Sequence, residues 1–269
     1  MRSLWRFALP PSSGDDRVRE AQVRTALSSI GCGSVHAALN YDTLVKDLVS
    51  GKVDVAWAPP LVCAQIESAG GRVLLRATRG GTHSYRAVLF ARVDRDLTLG
   101  DLQGKNAGWI DRQSMSGFVL PRGLLRARGM VPEELFAHER FLGSFAACVQ
   151  AVLDGKVDIS STYASGEAVR HPRLGFVELA GARAGELIDL AYSVDCPNDG
   201  IVLSPRLVED EDAFTHAFEN LRRDSPPGRV LAAALEVDDF HVPPAGSYQS
   251  LLTHLADPDP EAPEASSGP

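Results

Sequence analysis

An eight-residue repeat constrains this chain more than any other feature. Residues 48–55 read LVSGKVDV and residues 152–159 read VLDGKVDI, an offset of 104. Each copy reads as a helix end, a capping glycine, and an apolar strand opened by an aspartate. Strands that alternate with helices pair in parallel and give an α/β class. Two matched joints at about one domain length predict two similarly built α/β lobes. A cleft between two lobes is a natural place for a small molecule.

The rest of the pattern agrees. Strands are expected over residues 4–9, 34–39, 53–57, 73–77, 85–92, 106–110, 157–161, 187–194 and 200–203. Helices are expected from a cap at Asp15 or Asp16 to about Ile30, over 41–49, to about Ser68, over 117–128 and over 145–153. From Val208 onward the apolar spacing is helical, through Phe214, Phe218 and Leu221.

Composition narrows the class. The 269 residues hold 27 basic and 35 acidic side chains, a net charge of −8. That balance argues against nucleic acid as a partner. Residues 257–269 carry four acids and no base, half of the net charge, and read as a disordered acidic tail. No run approaches the ~18 apolar residues of a membrane span, so no membrane insertion is expected. The first residues, MRSLWRFALPPSSGDD, show no signal-peptide pattern, and a cytoplasmic location is expected. A periplasmic or lipid-anchored location applies if a signal segment has been removed. Cys32, Cys63, Cys148 and Cys196 show neither a CxxC nor a metal spacing, so buried reduced thiols and no bound metal are expected.

Several residues could carry chemistry. Residues 113–117, QSMSG, lie between an expected strand and an expected helix. Ser114 and Ser116, with the first N–H groups and the positive end of the helix dipole, suit an oxyanion, although a serine there also serves as a simple N-cap. Tyr41 and Tyr85 stand at element edges, where a tyrosine offers a flat wall and a hydroxyl, or half-buries in a core. Trp57 at the end of the first Val-Asp strand has the same two readings. Asp199 sits in a turn, 196–200, that opens a strand. No GxSxG, HExxH, P-loop or dinucleotide glycine motif occurs.

Taken in order, these residues resemble the phosphonate- and phosphate-type substrate-binding proteins of ABC importers, which have the type II periplasmic-binding-protein fold. The resemblance runs from about Leu4 to Leu251. It rests on Tyr41 through Trp57-Ala58-Pro59-Pro60, on Ser84-Tyr85-Arg86-Ala87-Val88-Leu89 and on Ser114-Met115-Ser116-Gly117. Residues 143–159 and Pro197-Asn198-Asp199-Gly200 complete it. The resemblance implies two lobes, residues 1–87 with 195–256 and residues 88–194, that close on a ligand. It places Tyr41, Tyr85, Ser114, Ser116 and Asp199 in the cleft, with Trp57, Met115 and Phe145 beside them. It departs from the family pattern at Met115, where a threonine is usual, and at Ser144-Phe145, where a small residue and a histidine are usual. Ser165, with Glu167 nearby, stands where aminophosphonate binders carry an acid. A greasier pocket with fewer donors is the result. A carboxylate, a neutral polar molecule or a partly aromatic ligand is expected to fit it better than a doubly charged phosphonate.

The expected function is therefore a small-molecule-binding protein that acts as a cytosolic receptor, carrier or sensor, without a cofactor. One alternative is a cytosolic enzyme on the same fold, a dehydratase or lyase or a builder of a cofactor precursor. It would draw on Asp111, Asp199, Tyr85, His83 or Cys148. The other is an ABC-importer binding subunit, with a permease as partner if the protein is exported.

Overall fold

A computed structural model describes residues 4–11, 16–112, 114–165, 178–221 and 224–254. Asp15, Gln113, Glu167, the side chain of Ser165 and the acidic tail at 257–269 lie outside the described residues. The elements in order are β1 (Trp5–Leu9), α1 (Asp16–Ser28), β2 (Cys32–Ala37), α2 (Tyr41–Ser50), β3 (Val55–Ala58), α3 (Pro60–Ser68), β4 (Arg72–Thr78) and β5 (Ser84–Arg92). Then come β6 (Lys105–Trp109), a π-helical turn (Met115–Val119) that runs into α4 (Leu120–Ala127), α5 (Pro132–Leu135), β7 (Phe136–Phe141), α6 (Phe145–Leu153) and β8 (Ile159–Ser165). The chain continues through β9 (Leu187–Tyr192), β10 (Cys196–Pro197), β11 (Gly200–Leu203), α7 (Glu211–Glu219), α8 (Pro226–Ala234) and β12 (Asp239–His241).

These strands form two sheets. The first runs β12-β4-β11-β3-β1-β2 and the second β10-β5-β8-β6-β7, with β9 also paired to β5. In each sheet the helix-linked strands pair in parallel: β1 with β2 and β3, and β6 with β7 and β8. The later strands return antiparallel, β11 against both β3 and β4. The two Val-Asp joints fall in different sheets. β5 belongs to the second sheet from Ser84 onward, so the chain passes between sheets at 79–83 and again at 198–199.

The repeat has a physical basis in those joints. Gly51 and Gly155 both adopt the left-handed conformation that ends a helix, with φ of 77° and 68°. The aspartate that follows then fastens the neighbouring parallel strand. Asp54 Oδ2 accepts from the Arg6 backbone N–H at 2.8 Å, and the Asp54 N–H donates to Arg6 O at 3.1 Å. Asp158 Oδ2 accepts from the Asn106 N–H at 2.9 Å, and the Asp158 N–H donates to Asn106 O at 2.8 Å. The same aspartate thus registers β3 on β1 and β8 on β6.

The core follows the strand period of two. Val55 and Trp57 point to one side of β3, into a cluster with Trp5, Phe7, Phe214 and Phe218 under α1, α7 and α8. Ala56 and Ala58 point to the other side, toward α2 and α3. Cys32, Cys63, Cys148 and Cys196 are all buried free thiols. Among the described residues no helix is long and apolar enough to cross a membrane.

Candidate functional site

Four helix starts converge on one cavity of about 380 Å³ between the sheets. They are Tyr41 and Asp42 of α2, Pro59 to Val62 at the head of α3, Ser114 to Ser116 at the π-helical turn, and Phe145 of α6. Three are fixed by side-chain caps, one of them Ser114 at the π-helical turn: Asn40 Oδ1 accepts from the Thr43 N–H at 2.8 Å, and Ser144 Oγ from the Ala147 N–H at 3.2 Å. Tyr85, Asp111, Arg112, Gln65 and Asp199 complete the lining. The first N–H groups of a helix have no intrahelical acceptor and carry the positive end of its dipole, so such a cavity draws acceptor groups of a ligand.

The turn at 114–119 is built tightly. Ser114 Oγ accepts from the Gly117 N–H at 3.1 Å, and Ser114 O from the Val119 N–H at 3.0 Å, the wide spacing of a π turn. Ser161 Oγ donates to Ser116 O at 2.8 Å and ties the turn to β8. Gly117 packs so closely that a Cβ there would lie 2.6 Å from Ser114 Oγ and 2.7 Å from Ile110 Cδ1. Ser116 is only 6% exposed as a residue and lines the cavity, where its hydroxyl is open to a ligand. Such a hydroxyl offers a ligand a hydrogen bond.

Charges of both signs surround this turn. Asp42, Asp111 and Asp199 contribute carboxylates, and Arg112 contributes a guanidinium that lies 5.2 Å from the centre of the Phe141 ring. Asp199 Oδ2 accepts from Arg79 Nη2 at 2.7 Å. The Tyr41 hydroxyl is pushed above its ordinary pKa, by burial first and then by Asp111 and Asp199. Tyr85 is pushed well above its ordinary value, chiefly by burial, and the Cys196 thiol beside it rises for the same reason to about 12. Both therefore stay neutral near pH 7.

Seven of the eight residues singled out from sequence meet at this cavity: Tyr41, Tyr85, Ser114, Met115, Ser116, Phe145 and Asp199. Trp57 does not. It is 3% exposed on the opposite side of β3, edge-on to Phe240 with ring centres 6.1 Å apart, and this corrects its placement in the cleft. The strand alternation gives the other side of β3 to Ala56 and Ala58, and the chain reaches the cavity at Pro59, past the strand's end. Of the groups weighed for an enzyme, Asp111, Asp199 and Tyr85 line the cavity, while His83 stacks on His241 and Cys148 is buried in α6. Asp42, Gln65 and Arg112 were not singled out as ligand contacts from sequence. Gln65 did leave a signal, as the polar residue inside the buried run PLVCAQI. Among the described residues no group of three His, Cys, Asp or Glu side chains is placed to hold a metal ion.

Comparison with known proteins gives the same architecture. A family model for the periplasmic substrate-binding protein of phosphonate ABC transporters matches residues 34–248. The protein XAC2383 of Xanthomonas citri, in a structure with chloride, superposes with a TM-score of 0.73 at 16% identity, over 94% of this chain and 98% of that one. The same protein with ATP gives a TM-score of 0.73 at 17% identity, over 94% and 97%. PhnD1 of Prochlorococcus marinus, in complex with methylphosphonate, gives 0.68 at 15% identity, over 94% and 97%. At these identities the structures speak for the fold: the two-lobed, type II periplasmic-binding-protein architecture. No protein with a curated description matches the chain. The family match covers well over half of the sequence, and the chain belongs to the phosphonate-type substrate-binding proteins of ABC transporters.

Proposed function

We propose that this protein binds, in the cavity at Ser114–Ser116, a small ligand with one singly charged or neutral acceptor group. A carboxylate is preferred over a doubly charged phosphonate. The carrying observation is Ser116, which lines the cavity at a helix start that three carboxylates also line. A helix start and two serine hydroxyls favour an acceptor. Asp199 is paired to Arg79, and Asp42 and Asp111, set against the single guanidinium of Arg112, raise the cost of a second negative charge. Met115 and Phe145 add apolar wall where hydroxyl or imidazole donors would help a phosphonate. The lobes built on the two sheets, divided at 79–83 and 198–199 rather than at 87 and 195, close over the bound ligand through these two crossings.

Family membership supports delivery of the loaded protein to an ABC permease as its role, over the cytosolic receptor or enzyme expected from sequence. Fractionation of cells that carry the full-length tagged protein tests the location directly. Calorimetric titration with acetate, propionate, methylphosphonate and ethylphosphonate tests the ligand class. A carboxylate is expected to bind tightest, by about tenfold over its phosphonate counterpart. A phosphonate as the tightest member overturns the preference.

A further inference from the structure

A second cavity of about 370 Å³ adjoins the first. The two share Tyr85, Ser116, Phe145 and Asp199, and the second adds Arg79, Tyr163, Asn198 and Glu236. Each chamber falls within the ~300–1,000 Å³ range of sites for drug-sized ligands, so a two-carbon acid fills only a corner of the pair.

The second chamber has its own chemistry. Phe145 and Tyr163 stand edge to face, with ring centres 5.0 Å apart at 72°. Arg79 is held flat by its Nη2 bond to Asp199 and by a 3.0 Å bond from Nε to Glu236 O. Asp199 thereby matches its charge, and the chamber presents aromatic faces, a guanidinium plane and the Glu236 carboxylate. Asn198 is 1% exposed and lines the chamber. Its Nδ2 donates to Ala77 O at 3.1 Å and Thr82 O at 3.0 Å, which fixes the amide at the chamber wall. Aromatic walls beside a guanidinium plane match a planar ring.

We propose that the second chamber holds a neutral aromatic ring of the ligand, whose acidic end sits on the Ser114–Ser116 turn of the first chamber. The ligand class is thus an aryl-substituted small acid, joined past Phe145 and Tyr85. The proposal rests on the first chamber as the seat of the acidic end.

Matched pairs test it. Acetate and phenylacetate, and methylphosphonate and benzylphosphonate, are titrated calorimetrically into wild type, Tyr163→Ser and Tyr163→Phe. In wild type each aryl member is expected to bind about tenfold or more tighter than its methyl parent. Tyr163→Ser removes most of that gain and leaves the methyl parents within about twofold. Tyr163→Phe keeps the gain, which shows that the ring acts and that the fold is sound. An absent aryl gain in wild type, or a gain that survives Tyr163→Ser intact, overturns the proposal. An aryl gain in both series with phosphonates tighter than carboxylates overturns the acid preference and leaves the second chamber standing. No binding by any of the four overturns both.

Discussion

Ser116 and Gly117 divide the work of the anion turn. Ser114 spends its hydroxyl on the Gly117 N–H, so it shapes the turn as much as it faces a ligand. Ser116 lines the cavity, and its backbone carbonyl is engaged by Ser161. Gly117 is required by space: Ser114 Oγ and Ile110 Cδ1 already occupy the place of a Cβ. Gly117→Ala is expected to destabilise the protein by about 1–3 kcal/mol, through overpacking and a displaced Ser114 cap. Thermal unfolding reads this as a lowered Tm, and an unchanged Tm would show that the turn shifts freely. Asp199 shows the limit of sequence at this scale. A turn aspartate gives no sign of its partner, and Arg79, 120 residues earlier in the chain, claims one of its oxygens. Trp57 shows the same limit differently, because a residue at a strand end reads equally well toward the cleft or toward the core until its alternation is fixed by neighbours.

At the level of elements, the repeat was legible because its residues obey local rules. A left-handed glycine ends each helix, and the aspartate three residues after it reaches the adjacent parallel strand. Asp158→Ala leaves the Asn106 N–H without its carboxylate acceptor and is expected to cost about 1.5–3 kcal/mol in chemical denaturation. Asp158→Asn retains an acceptor oxygen and should recover part of that loss. Equal losses in the two variants would show that charge alone, not the bond to Asn106, matters at the joint. Other elements were not legible. β7 reads FAHERF and is largely exposed, so it has no buried alternate face to announce a strand. β12 is three residues long and pairs only with β4, at the sheet edge. The helix expected over 117–128 instead begins as a π turn at Met115 and becomes α-helical at Leu120. The close approach of Gly117 to Ile110 belongs to packing between elements, and no propensity scale contains it.

At the scale of the whole molecule, the α/β class and the two-sheet architecture could be read from element order and resemblance. The resemblance divides the chain near 87 and 195, and the sheets change at 79–83 and 198–199. The crossings at 79–83 and 198–199 are held by contacts remote in sequence. The Asn198 N–H donates to His83 O at 2.9 Å, and the Tyr248 hydroxyl donates to Asn198 O at 2.5 Å. Tyr248 is in turn fixed by Glu67, whose Oε2 accepts from its backbone N–H at 3.0 Å. These bonds brace the segment that carries Asp199 into the cavity, and they place aromatic and polar walls on both sides of the Ser114–Ser116 turn. That turn is the proposed seat of the ligand's acceptor group. The most direct measurement is calorimetric titration of Ser116→Ala and wild type with the tightest acid of the carboxylate and phosphonate panel, alongside thermal unfolding of both proteins. A hydrogen bond to a charged group is worth about 1.5–3 kcal/mol, so Ser116→Ala is expected to bind about tenfold or more weakly with its Tm nearly unchanged. Affinity equal to wild type would contradict the account and reduce the turn to a helix start that binds nothing.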